Sequence, residues 1–162
     1  MIVVADTTPL LYLSRIGQVE LLRHLYQQIF VPATVWHEAI VARPDAVGVE
    51  SLRNAVWIRV SDQAERAGVE PSLEEALDPG EAAAITLAEL LGARILLIDE
   101  RKGRAVARER GLNVRGTLGV LVDARRAGHI SSLRAALDEL LEEGFRVAPA
   151  LVSEALRQVG EE

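Results

Sequence analysis

Ala93-Arg94-Ile95-Leu96-Leu97-Ile98-Asp99-Glu100-Arg101-Lys102-Gly103-Arg104 is the stretch that decides how this chain folds. Four large apolar residues in succession, Ile95 to Ile98, run directly into Asp99. An unbroken apolar run bounded by polar residues reads as a strand buried on both faces. A carboxylate at the carboxyl end of such a strand stands where open α/β sheets receive their ligands. The N-terminus repeats the arrangement, with Ile2-Val3-Val4-Ala5 leading into Asp6.

Working outward from that stretch, Asp78-Pro79-Gly80-Glu81 opens a strong helix through Leu91, and Gly92 closes it. Asp78 and Glu81 have the spacing of a capping box. Beyond Asp99 a basic helix runs to about Arg110 and stops at Gly111. A short strand at Asn113-Val114-Arg115 follows, then helices over Thr117–Ala127, from Ser131 or Ser132 to Glu142, and over Pro149–Val159. In the N-terminal half, Thr8-Pro9 reads as a cap and first helical residue. That helix stops near Gly17, and a second covers Val19–Tyr26. Ile29-Phe30-Val31 is a strand, and Pro32 opens a helix that contains Glu38 and breaks at Arg43-Pro44. A short helix over 46–54 and a strand over 56–60 come next, and 61–77 reads as a long loop with some helix. Strands alternating with helices predict a single α/β domain, a mainly parallel central sheet flanked by helices, with 131–162 as a C-terminal helical extension.

Composition bounds the function. The chain of 162 residues is 49% hydrophobic and 26% charged, which fits a globular protein and excludes disorder. No apolar run approaches the roughly 20 residues that span a bilayer, and no signal peptide is recognisable, so a cytoplasmic protein without membrane attachment is expected. The absence of cysteine removes disulfides and thiolate metal sites. A net charge of −6 argues against a general polyanion binder. Nucleic acid would need a local basic patch or bound cations. Arg101, Arg104 and Arg108 recur at helical spacing after Asp99, with Lys102 and Arg115 nearby. They are candidate phosphate contacts, and a solvated helix face is the plain alternative.

The acids carry the chemistry. Asp6 and Asp99 converge if their strands are parallel neighbours. Glu81 shares a helix face with Ile85 and Ala88, and Glu38 has Val35 three residues before it and Val41 three after. Buried charge costs heavily unless neutralised, and crowded carboxylates raise one another's pKa values. A divalent cation resolves that conflict, and oxygen-only ligands select Mg²⁺ or Mn²⁺. Each acid also has a structural alternative. Asp99 can cap the helix that follows it, Glu81 completes the capping box, and Glu38 can be a solvated helical acid. Asp6 resists that explanation, because Thr8 is available as the cap. Thr7, Thr8 and Thr117 are candidates to support the carboxylates, although capping explains Thr8 and Thr117 equally. His24, His37 and His129 lack metal-type spacing, and Trp36 and Trp57 read as core. No Gly-rich nucleotide loop or Gly-x-Ser-x-Gly motif is present.

Asp6-Thr7-Thr8-Pro9-Leu10, Glu38 after Val31-Pro32, Gly80-Glu81-Ala82-Ala83-Ala84-Ile85 and Leu97-Ile98-Asp99-Glu100 resemble the PIN-domain family. Gly116-Thr117-Leu118-Gly119 and Gly144-Phe145-Arg146-Val147 resemble its VapC-like prokaryotic branch. The resemblance implies a Mg²⁺- or Mn²⁺-dependent ribonuclease, usually the toxin of a toxin–antitoxin pair. Its acidic quartet falls on Asp6, Glu38, Glu81 and Asp99, as catalytic groups and metal ligands. Glu100 stands where many relatives have a second aspartate; it keeps the charge on a longer arm and is a further possible ligand. Homodimers and inhibition by a small antitoxin are also implied. The expected reaction is hydrolysis of an RNA phosphodiester by metal-activated water. A non-catalytic PIN-like interaction protein is the alternative. A Mg²⁺-dependent phosphatase comes third, since no Asp-x-Asp pair follows the first strand.

Overall fold

The computed structural model describes residues 1–162. Strand β1 (Val3–Ala5) leads into helices α1 (Thr7–Arg15) and α2 (Glu20–Tyr26). Strand β2 (Ile29–Pro32) leads into α3 (Ala33–Trp36), one π-helical turn at His37–Val41, and α4 (Val49–Arg53). Strand β3 (Ile58–Ser61) is followed by α5 (Gln63–Ala67), α6 (Pro71–Ala76) and α7 (Pro79–Leu91). Strand β4 (Ile95–Leu97) precedes α8 (Arg101–Glu109), and β5 (Val114–Arg115) precedes α9 (Thr117–Arg126), α10 (Leu133–Glu142) and α11 (Pro149–Gln158).

The five strands form one sheet in the order β3-β2-β1-β4-β5, every pairing parallel. The expected α/β fold is therefore observed, with a wholly parallel sheet. The strands are too short for their ladder hydrogen bonds to hold the molecule, so two apolar cores do so. Val3, Ala5, Ile29, Val31 and Leu97 join a core with α1, α2 and α9 to α11. Val4, Leu96 and Ile98 join a second with α5 to α8. Successive strand residues thus point to opposite faces, and both faces are covered, which is why these strands read as continuous apolar runs. Each fully buried leucine or isoleucine contributes about 1.5–3 kcal/mol.

Several local expectations are corrected. Helix α1 begins at Thr7 with Asp6, not Thr8, at the capping position, and the Asp6 side chain makes no capping hydrogen bond. Pro32 ends β2 and sits just before α3. The helix expected within the 61–77 loop is two short helices, α5 and α6, and Thr34 fastens α5 to α3 by donating from N–H and Oγ1 to Glu65 Oε2 at 3.0 and 2.7 Å. Val41 does not share a buried face with Glu38. The π turn, in which Ala42 N–H donates to His37 O at 2.8 Å, widens the helix there and leaves Val41 exposed.

Candidate active site

Strands β2 and β4 lie on either side of β1, so the chain leaves β1 and β4 in opposite directions across the sheet. The crevice at their carboxyl ends is where open α/β sheets bind ligands. Register places the two aspartates there. Ala5 pairs with Leu97, and the N–H of Asp6 donates to Leu97 O at 2.9 Å. Asp6 therefore lies level with Ile98, and Asp99 is one residue further out. The alternation of side chains then separates them: Asp6 falls on the α7 side of the sheet and Asp99 on the α9 side.

On the α7 side, Asp6 is only 4% exposed. Burial pushes its carboxyl up from 3.8 to about 7, the charges of Asp78, Glu81 and Glu38 push the same way, and the Thr7 N–H opposes them. Glu81 is 5% exposed in the first turn of α7. The expected capping box is present: Asp78 Oδ1 accepts from the Glu81 N–H at 2.8 Å, and Glu81 Oε1 accepts from the Asp78 N–H at 3.3 Å. Glu81 Oε2 is buried without a hydrogen-bond partner. Burial, with Asp78 and Glu100 nearby, raises this carboxyl from 4.5 to about 7. Glu38, half-buried, accepts from Thr7 Oγ1 at 3.0 Å. Thr8 makes no hydrogen bond to an acid.

On the α9 side, both oxygens of Asp99 are engaged by one residue. The Thr117 N–H donates to Oδ1 at 2.7 Å and Thr117 Oγ1 to Oδ2 at 2.6 Å. Asp99 thus caps α9, not the α8 that follows it in sequence; Glu100 occupies the α8 cap, exposed and without a capping bond. Burial raises the Asp99 carboxyl, while the Thr117 donors and the Arg104 guanidinium lower it. Arg104 has turned inward, with Nη1 donating to Ile98 O at 3.0 Å. Arg101, Lys102 and Arg108 stay exposed and unpaired on the outer face of α8.

Three glycines absent from the sequence-based candidates line this crevice. A Cβ on Gly80 would lie 2.6 Å from Glu38 Oε2, one on Gly103 2.8 Å from Glu81 Oε2, and one on Gly116 2.8 Å from Asp99 Oδ1. Their signal in the sequence is weak: Gly80 and Gly103 sit in an early helical turn, where glycine costs up to about 1 kcal/mol relative to alanine, and Gly116 is at the extended capping position before α9, where glycine is common.

A family profile decides what this crevice belongs to: that of the PIN domain matches residues 2–161. The chain belongs to the PIN-domain family. PIN domains are generally nucleases that use divalent metals. No curated protein matches the chain. In this PIN domain the donor set suits a hard divalent cation: Asp6, Glu38 and Glu81 offer only oxygen, face no cationic side chain, and include the unpartnered Glu81 Oε2. The set is nonetheless open, since no three acids or histidines close on one point as a preformed cage. His24 stacks on His129 with ring centroids 5.0 Å apart, and His37 is exposed on the π-helical turn that carries Glu38. No helix is long and apolar enough to cross a membrane.

Proposed function

We propose that this PIN domain is a Mg²⁺- or Mn²⁺-dependent endoribonuclease of the VapC-like branch, acting as the toxin of a toxin–antitoxin pair in the cytoplasm. The observation that carries the reading is the pair of buried acids Asp6 and Glu81, with the half-buried Glu38 beside them, in which Glu81 Oε2 has no partner inside the protein. Ionised, such a group carries a heavy desolvation and repulsion cost that a bound cation relieves.

Asp6 and Glu81 would hold the ion, with Glu38 and Asp99 completing the set and Glu100 within reach from its exposed position. When bound, such an ion supplies Lewis acidity toward the phosphodiester and the attacking water. Thr7 fixes the Glu38 carboxylate, leaving that acid as the candidate proton acceptor at the mouth of the crevice. Thr117 fixes Asp99, and Arg104 compensates its charge. Arg101, Lys102 and Arg108 lie beside the crevice as unpaired cations, suited to the phosphates of an RNA strand. A small antitoxin and a homodimer follow from the VapC-like motifs at Gly116–Gly119 and Gly144–Val147.

The test pairs cleavage with folding. Asp6→Asn is expected to abolish Mg²⁺-dependent RNA cleavage while the circular dichroism spectrum stays that of the wild type, and excess EDTA should reproduce the loss. Cleavage surviving either treatment refutes the reading. One observation favours the non-catalytic alternative: the acids do not close on a single point, and both Asp99 oxygens are already engaged. Calorimetry separates the two, because an interaction module would take up no Mn²⁺.

A further inference from the structure

Of the 12 glycines, eight adopt the positive φ that only glycine takes up easily. The remaining four, Gly80, Gly103, Gly116 and Gly119, have ordinary backbone and gain nothing from glycine's freedom. All four are pressed against charged side chains: Gly119 against Arg115, and the other three against Glu38, Glu81 and Asp99. Three of the four quartet carboxylates thus rest on bare backbone, contributed by the first turns of α7 and α8 and by the capping residue of α9.

We infer that Gly80, Gly103 and Gly116 are positioning residues, whose missing Cβ atoms set the places of the Glu38, Glu81 and Asp99 carboxylates; their role toward a metal rests on the ribonuclease reading. Gly103 states the case most sharply. Glycine is the poorest helix former after proline, yet it sits in the first turn of α8. A Cβ there would stand 2.8 Å from both Glu81 Oε2 and Ile98 Cδ1. Ile98 belongs to the second core and cannot yield, so Glu81 would have to move. Glu81 Oε2 is also the atom with no partner, buried between α7 and α8. Gly103 admits that oxygen at a depth any other residue would deny it. Gly116 serves two groups, since its Cβ would meet Asp99 Oδ1 at 2.8 Å and Arg104 Nη1 at 3.0 Å.

The experiment uses the full chain with Gly103→Ala, and Gly80→Ala and Gly116→Ala in parallel. Each variant is expected to unfold cooperatively yet bind Mn²⁺ roughly 10- to 100-fold more weakly by calorimetry, the usual effect of disturbing groups that orient ligands. Combining Gly103→Ala with Glu81→Asp shortens the acid by one methylene and clears the clash, so part of the lost affinity should return. A loss of general packing would show no such recovery. Unchanged Mn²⁺ affinity, no recovery in the double variant, or a crystal structure of Gly103→Ala with the Glu81 carboxylate unmoved overturns the inference. A wild-type chain that takes up no Mn²⁺ overturns the metal reading instead, and the position of Glu81 in that crystal structure then decides the role of Gly103. Should Gly103→Ala fail to fold, the other two variants decide by the same readouts.

Discussion

Thr117 holds Asp99 by both oxygens, through its N–H at 2.7 Å and its hydroxyl at 2.6 Å, while itself fully buried. Replacing the hydroxyl with a methyl in Thr117→Val preserves shape and removes one donor. The carboxylate oxygen it served is left unpaired, which costs about 1–3 kcal/mol. Urea denaturation should show that loss, and Thr117→Ser, which keeps the hydroxyl, should largely avoid it.

The metal-free protein should lose stability as pH rises. Asp6 goes from 3.8 to about 7 on folding and Glu81 from 4.5 to about 7, so the folded chain binds more protons than the unfolded one between these limits. The stabilisation is complete below about pH 4 and disappears as pH passes 7. For Asp6 alone the displacement corresponds to about 4 kcal/mol. Denaturation midpoints taken in EDTA from pH 5 to 8 should fall, and Asp6→Asn should flatten the curve. A midpoint that rises across that window contradicts the buried carboxyl pair.

Added Mn²⁺ should raise the melting temperature far more at pH 8 than at pH 5, because ligating carboxylates must first lose their protons. Equal shifts at both values would place the ion elsewhere.

Arg101→Ala and Lys102→Ala should each weaken RNA binding without regard to sequence, and reduce the slope of log affinity against log salt by about 0.7. Filter binding across a salt series measures this. Arg104→Ala should behave differently, since its guanidinium is spent on Ile98 O and Asp99.

At the other end of the molecule, Glu161 accepts from the N–H groups of Leu133 and Arg134, from Ser132 Oγ and from Arg125 Nε. The Leu133 N–H leads the set of donors that holds this carboxyl below its usual range, so its contribution is lost as pH falls. Glu161→Ala should lower the melting temperature and speed hydrogen exchange at Leu133 and Arg134, the first amides of α10.

What the sequence revealed and what it concealed follow from the range of the interactions involved. Ile95 to Ile98, Val3 to Ala5 and the Asp78–Glu81 capping box are local patterns, legible because strand burial and helix capping are decided within a few residues. The short helices α5 and α6 are legible only as some helix within a loop, and their bounds are not, because five or six residues do not hold a helix without tertiary contacts such as Thr34 to Glu65. The attachment of Asp99 to α9 joins residues 18 apart, and the contact of Glu81 with Gly103 joins two helices through the fold. Spacing along the chain names the acids; it does not show which neighbour each one faces.

The one-residue offset between Asp6 and Asp99 across the β1–β4 pair has an energetic corollary. The sheet acts as a partition: one acid answers to the α7 side, the other to the α9 side, and no shared partner joins them. Damage on the two sides should accordingly sum in doubly substituted proteins, with a coupling energy near zero in the absence of ligand. Any ion that spans the partition would create the missing link, and the same double-mutant cycle repeated in Mn²⁺ would record its appearance as a departure from additivity.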